Sequence, residues 1–301
     1  MGNLFVMTGL GMNSFINSQG FGTIGMMTVL LGAVANIILD PVFIFFFHMG
    51  VRGAALATIL SQLISAIWIL KFLTGPKAIL KLKKDAMKLK RSRVLRIIGL
   101  GMSGFTMSIT NSSVQVMYNA MLQKTGGDLY VGIMTVINTV REVISMPVQG
   151  ITHSSQPVMG YNYGAKEYKR VNKIYNLALM IAFGIMAVGT ALFMFTPETF
   201  MKMFSTQPST ITTGTSALRI ISCGFIVSSV SVVSSGALEG LGKGNESLAV
   251  SLLRYLIIIV PLAFVLSQFF GVSGVWHSFW ITEAITAIIS YIIYKKALLK
   301  K

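Results

Sequence analysis

The stretch "NIILDPVFIFFF", Asn36 to Phe47, sets one carboxylate and one proline inside a run of apolar residues that extends from Met26 to Phe47. A segment that long and oily reads as a membrane-spanning helix, which needs roughly 20 apolar residues. An ionised acid at such depth costs about 2.5–3.5 kcal/mol on insertion scales. Asp40 and Pro41 therefore ask for a reason. A local one exists: Asp is a good helix N-cap and Pro a good first helical residue, so the pair would serve at a broken span.

Working outward, the rest of the chain has the same character. It holds 301 residues, 53% hydrophobic and 11% charged, with mean hydropathy +0.72. A soluble domain carries about 25% charged residues, and this chain lacks the polar surface to cover a water-facing globule. Hydrophobic runs punctuated by Gly and Pro divide it into about nine segments, near 1–18, 23–47, 51–74, 92–123, 128–160, 170–196, 209–238, 246–268 and 273–295. The predicted fold class is an all-α integral membrane protein. The one long polar connection, "GPKAILKLKKDAMKLKRSR" from Gly75 to Arg93, is read as a solvated, partly helical basic linker, with lipid headgroups as a second contact. It divides the chain into residues 1–74, the linker 75–91, and residues 92–301.

The net charge of +16 raises nucleic acid as a partner, but its placement argues against it. Of the 25 Lys and Arg, 19 fall in one alternate set of loops and three, Arg52, Lys124 and Lys202, in the other. That asymmetry is a positive-inside signal and predicts a cytoplasmic linker and C-terminus, with Met1 outside. The one cysteine, Cys223, and three histidines offer neither an internal disulfide nor a metal cluster. No nucleophile–base pair suggests an enzyme.

An internal repeat follows from the opening stretch. Gly20 matches Gly240 and Pro41 matches Pro261; Gly50 and Gly53 match Gly271 and Gly274 one insertion later. Both copies start on the same side, so they form a parallel repeat, as in transporters that rock about a central site. The second copy keeps the proline and drops the acid: Val260 stands for Asp40, Leu256 for Asn36 and Phe279 for Thr58. Asn36, one turn before Asp40, and Thr58, at similar depth on the returning helix, are thus polar together in one copy only. A carboxyl withdrawn from water resists ionisation and a bound cation favours it, so this trio is the candidate site for a proton or sodium ion.

Elsewhere, Arg141 and Glu142 are adjacent in a span with two prolines, Pro147 and Pro157. Neighbours on a helix point about 100° apart and do not pair, so each faces either a cavity or a partner helix. Arg254 and Glu283 are expected to form a structural ion pair, and Glu239 to be solvated. The "GLGMSG" run, Gly99 to Gly104, is expected to let helices approach closely. The 19 Met and 19 Phe suit lipid-facing walls, a minority of them an adaptable pocket.

"NIILDPVFIF…GVRGAALAT" together with "QPVMGYNYGAKEYKRV" resembles the multidrug and toxic compound extrusion family, in its bacterial drug-efflux branch. The resemblance implies two six-helix lobes around a V-shaped cavity, of which this chain would carry a partial first lobe, lacking three helices, and a complete second. It implies export of cationic, amphipathic drugs or toxic organic cations against H⁺ or Na⁺, no cofactor, and a monomer in the plasma membrane among its lipids. It also implies a cation site of Asn36, Asp40 and Thr58 with the Ala54 carbonyl, the family's further acid lying on a helix before Met1. Two other readings stand beside it: a non-transporting truncated fragment, and a flippase of lipid-linked sugars with a strongly cationic cavity.

Overall fold

The computed structural model describes residues 2–82 and 89–299. Among these no strand occurs, and helices account for nearly all of the chain. The chain forms two compact units, Met1–Lys90 and Arg91–Lys301.

The first unit has three helices. α1 runs Gly2–Ser18, α2 Gly22–Pro41 and α3 Gly50–Thr74. The apolar side chains of α2 face outward: Val29, Leu30, Val34, Ile37 and Ile38 are all exposed. That surface suits lipid rather than water. A small cluster of Ile16, Ile69 and Leu73 holds the ends of α1 and α3 together, with the Phe21 and Phe72 rings edge to face at 5.3 Å. Gln19 accepts hydrogen bonds from the backbone N–H groups of Ile79 and Leu80 at 2.7 and 2.8 Å, which ties down the start of the linker.

The expected break at Asp40–Pro41 is not where the span bends. Pro41 keeps helical angles (φ −60°, ψ −37°), and the chain continues as a π-helical turn, Val42–Phe46. Proline removes one N–H and crowds the carbonyl four residues back, and a wider turn absorbs both effects. Asp40 is therefore inside the helix and caps nothing. The reversal comes later, at His48 and Gly50, with φ of 54° and 52°.

The second unit contains α4 Arg91–Gly126, α5 Asp128–Gly164, α6 Tyr168–Phe195 and the short α7 Pro197–Phe204. These are followed by α8 Pro208–Ser222, α9 Phe225–Gly240, α10 Gly244–Leu252 and α11 Ile259–Leu299. α8 and α9 bend by 51° at Cys223–Gly224. A π turn, Leu253–Ile258, joins α10 to α11, and Gly271 (φ 58°) kinks α11.

α9 is the helix around which this unit packs. Its sequence is rich in Ser and Gly, and Ser228, Ser229, Ser231 and Ser234 are buried. Ser228 and Ser229 return their hydroxyl protons to carbonyls three residues back and Ser234 pairs with the Tyr175 hydroxyl, so these three are satisfied while the small volumes admit neighbours. A methyl group on Gly240 would stand 2.8 Å from the Gln156 carbonyl oxygen of α5. Close helix approach was expected at Gly99–Gly104 instead. Gly101 there faces open space, and the side-chain surroundings of Gly99 and Gly104 lie outside the described residues.

Five described helical runs are long and apolar enough to cross a membrane, or six when α8 and α9 count as one bent span. The nine segments read from sequence exceed this for physical reasons. α1 has 17 residues, α4 is diluted by amides and hydroxyls, and Gly244–Leu298 counts as one run although Gly271 kinks it. In the linker, residues 83–88 lie outside the described set, and the described flanks 75–82 and 89–90 are not helical.

The repeat is visible in the backbone. Gly50 and Gly271 share a left-handed φ, and Gly53 and Gly274 each face a carbonyl of the preceding helix, Phe43 and Leu266. One pairing needs correction. Gly20 (φ 86°) corresponds in conformation to Gly242 (φ 73°), each two residues before a helix start. Gly240 is instead a packing position on α9.

Candidate functional site

In the first unit α2 sets Asn36 and Asp40 one turn apart, both half-buried. Asp40 Oδ1 and Asn36 Nδ2 are each shielded from solvent and make no hydrogen bond. None of the ion pairs among the described residues involves Asp40. A carboxylate left so, without donor or counter-charge, is a strong acceptor awaiting a partner. On α3 the Thr58 hydroxyl donates to the Ala54 carbonyl at 3.0 Å, which keeps the Thr58 oxygen's lone pairs available and occupies one of the carbonyl's.

Asn36 and Thr58 share a cavity of about 320 Å³ walled by α1, α2 and α3, with Asn13, Asn17 and Gln62 also on its surface. Asp40 and Ala54 are not on that wall. The structure thus brings Asn36 and Thr58 together and places Asp40 a turn beyond them. All the acceptors offered are oxygens, the donor set of a hard cation or a proton. Among the described residues no cluster of His, Cys, Asp and Glu suited to a transition metal exists.

The second unit holds a separate cavity of about 270 Å³. Two polar stripes build it. Asn111, Gln115 and Asn119 recur every four residues on α4; Asn138, Glu142, Ser145 and Gln149 recur at helical spacing on α5. Sequence reading missed both stripes, although their spacing of three and four is a legible one-face signal. Arg141 and Glu142 both line the cavity and do not pair with each other. The Arg141 guanidinium lies 5.9 Å from the centre of the Phe279 ring, and Phe279 in turn packs on Tyr118 at 4.8 Å. Tyr118 and Ser278 share a buried hydrogen bond of 2.6 Å.

Arg254 and Glu283 form the expected ion pair, through Arg254 Nη2 and Glu283 Oε1. Both also line the cavity, and Glu283 Oε2 is buried without a partner. The pair is therefore more than an internal brace. Glu239 is exposed as expected, yet it accepts from Gln156 of α5 at 3.0 Å and from Ser247 of α10 at 3.1 Å.

The MatE family model matches residues 103–265, more than half of the chain. The multidrug export protein MepA of Staphylococcus haemolyticus is 24% identical over 291 residues, covering 96% of this chain and 64% of its own length. MepA of Staphylococcus aureus strain N315 is 25% identical over 292 residues, 96% of this chain and 63% of its own. The chain thus spans under two thirds of the length of the curated relatives it matches. Among solved structures, a MATE in complex with MaL6 superposes with a TM-score of 0.92 at 23% identity, covering 99% of this chain and 67% of that one. A transporter of the MOP superfamily from Pyrococcus furiosus superposes with a TM-score of 0.88 at 25% identity, covering 94% and 64%.

Proposed function

The chain belongs to the MatE family, and from that premise we propose that this multi-pass membrane protein is a secondary multidrug efflux transporter that exchanges H⁺ or Na⁺ for cationic, amphipathic compounds by alternating access. The relatives named as multidrug export proteins support the export of small molecules. The linker and the C-terminus face the cytoplasm of the cell membrane in this reading, following the distribution of Lys and Arg.

One observation carries the coupling role: Asp40 Oδ1 is out of water and, among the described residues, has no hydrogen-bond partner and no ion pair. Asn36, Thr58 and the Ala54 carbonyl are the neutral oxygen donors assigned to the same ion. Asp40 sits at the junction with the Val42–Phe46 π turn. An ion that binds one geometry of that turn better than the other shifts the population between them.

The flippase reading asks for a cavity rich in free cations. The second unit's cavity offers Arg141 and Arg254, and Arg254 is neutralised by Glu283, so drug export is the better supported of the two.

The test is ethidium efflux from an efflux-deficient host expressing the chain, with Na⁺ and H⁺ gradients imposed separately. Wild type should lower ethidium accumulation under one of the gradients. Asp40→Asn should abolish this at equal membrane expression. Efflux that survives the substitution, or never appears in wild type, overturns the reading.

A further inference from the structure

α6 and α11 each pack on α9, and where α6 starts and α11 ends they meet through tyrosine rings. The Tyr175 ring of α6 has its centre 4.0 Å from that of Tyr294 and 6.5 Å from that of Tyr291, both on α11. Tyr175 and Tyr294 are fully buried, and the Tyr175 hydroxyl shares a 2.9 Å hydrogen bond with Ser234 of α9. These two rings floor a groove between the helices. Tyr291 is exposed at its edge, and the Lys295 ammonium rests 5.2 Å from the centre of that ring.

The two walls repeat one pattern. On α11, Tyr291 stands three residues before the buried Tyr294, and Lys295 a turn beyond Tyr291. On α6, Asn172 stands three residues before the buried Tyr175, and Asn176 a turn beyond Asn172. Both amides are exposed and make no hydrogen bond among the described residues. Lys169 and Lys173 come next around α6, one turn apart on a shared face, opposite the buried Val171, Tyr175, Ala178 and Ala182. Further along the helix that face carries exposed Leu177, Met180 and Val188, and α11 exposes Ile288 and Ile292 beside Tyr291.

The sequence of surfaces is that of a phospholipid: cations, then amides and tyrosines, then bare hydrocarbon. Lysine stems lie along apolar surface while their heads reach the headgroup level, where tyrosine also gathers. Lys169, Lys173 and Lys295 form no ion pair among the described residues. No Asp or Glu occurs on α6 from Tyr168 to Phe195 or on α11 after Glu283, and Glu167, just before α6, is exposed. Such unpaired lysines at a membrane interface attract anionic headgroups. A choline headgroup offers them a phosphate whose charge is already cancelled.

We propose that the groove between α6 and α11 holds one anionic phospholipid. Its phosphate sits on Lys169, Lys173 and Lys295, its headgroup hydroxyls on Asn172 and Asn176, and its acyl chains along Leu177, Met180 and Ile288. None of these residues lines the second unit's cavity. The distribution of Lys and Arg assigns the lipid to the cytoplasmic leaflet; binding itself needs neither transport nor a gradient.

The test is native mass spectrometry of the purified full chain in detergent, titrated with dioleoyl phosphatidylglycerol or dioleoyl phosphatidylcholine. Wild type should hold its first phosphatidylglycerol at about tenfold lower concentration than its first phosphatidylcholine. Combining Lys169→Gln, Lys173→Gln and Lys295→Gln should bring the two lipids within about twofold of each other. Combining Lys77→Gln, Lys81→Gln and Lys90→Gln removes the same charge from the linker and should keep most of the preference. Asn172→Leu with Asn176→Leu changes no charge; it should weaken phosphatidylglycerol about threefold and leave phosphatidylcholine as it was. All the substituted side chains are exposed, so each variant should elute from size exclusion as wild type does.

Equal retention of the two lipids by wild type overturns the proposal. So does a loss of preference as large in the linker variant as in the groove variant, which marks a general attraction, or an unchanged affinity in the amide variant. Displacement of the lipid by an equal concentration of glycerol 3-phosphate also overturns it, since the groove would then be a site for free phosphate. Asp40→Asn should bind the lipid as wild type does, which separates a failure here from a failure of the transport reading.

Discussion

Gly50 and Gly271 lie 221 residues apart and both take a positive φ, 52° and 58°. Each stands three residues before a glycine pressed on the helix it has just left: Gly53 against the Phe43 carbonyl, Gly274 against that of Leu266. Two units of different size therefore turn the same corner in the same way. The duplication is conserved in backbone geometry even though the side chains nearby have diverged from Asp40 to Val260.

This corner should resist enlargement. A methyl group on Gly53 would come within 2.7 Å of the Phe43 carbonyl oxygen, and crowding of this kind costs typically about 1–3 kcal/mol. Gly53→Val and Gly274→Val are each expected to lower the apparent melting temperature of the detergent-solubilised protein. Gly101→Ala, in open space, should leave it unchanged. Fluorescence-detected size exclusion after a heat step measures all three.

The Arg254–Glu283 pair gives a sharper test of stability. Removing one member of a buried pair strands the other, at a cost of about 3–5 kcal/mol, whereas replacing both with apolar residues of similar volume is often neutral. Glu283→Leu alone should sharply reduce folded yield. Arg254→Met combined with Glu283→Leu should recover most of it. If the single substitution proves as stable as the double one, the pair is not a brace.

How far these features could be read beforehand depends on the chemistry of each. The GVxG corners were legible because positive φ and close backbone approach both demand glycine, whatever surrounds them. The position of the bend was not, because Asp40–Pro41 is equally good grammar for a helix start and for a π turn inside a helix, and only the surrounding packing chooses. Gly240 pairs with Gly20 in the sequence reading because "GLGKG" offers three glycines at alternate positions, and backbone conformation, not identity, selects Gly242. Arg254 and Glu283 were readable as opposite charges on sequential spans. The facing stripes of Asn111, Gln115 and Asn119 and of Asn138, Glu142 and Gln149 look like scattered polar residues until α4 and α5 are set side by side.

The tight contact between α5 and α9 yields a further expectation. Gly240 lies against the Gln156 backbone, and on the other side a methyl group on Gly160 would stand 2.6 Å from the Gly240 carbonyl oxygen. Glu239, next in sequence, takes hydrogen bonds from Gln156 and Ser247. Gly240→Ala should therefore disturb packing and the polar link together, lowering thermal stability by about 1–3 kcal/mol. Glu239→Gln keeps the shape and one acceptor oxygen for the Gln156 amide and can offer its own N–H to the Ser247 hydroxyl in place of the bond it accepted there, so it should cost under about 1 kcal/mol. Comparing the two by thermal melts separates the steric contribution from the polar one.

Pro41 supplies the last test of the proposed exchange, because its replacement would separate binding of the proposed ion from the movement assigned to it. The π turn Val42–Phe46 begins where proline has removed a backbone donor. Pro41→Ala restores that N–H to the carbonyl of Ile37 and removes the ring's steric push, so the turn should relax toward regular α-helix. Asp40 and Asn36 keep their place one turn apart, and ion affinity should change little, within about threefold. Switching between geometries should become harder, and ethidium efflux slower by several-fold. Thermal stabilisation by Na⁺ or by lowered pH, whichever wild type shows, reads the first quantity, and initial efflux rates read the second. If affinity collapses while the rate per bound ion holds, Pro41 shapes the site rather than the motion.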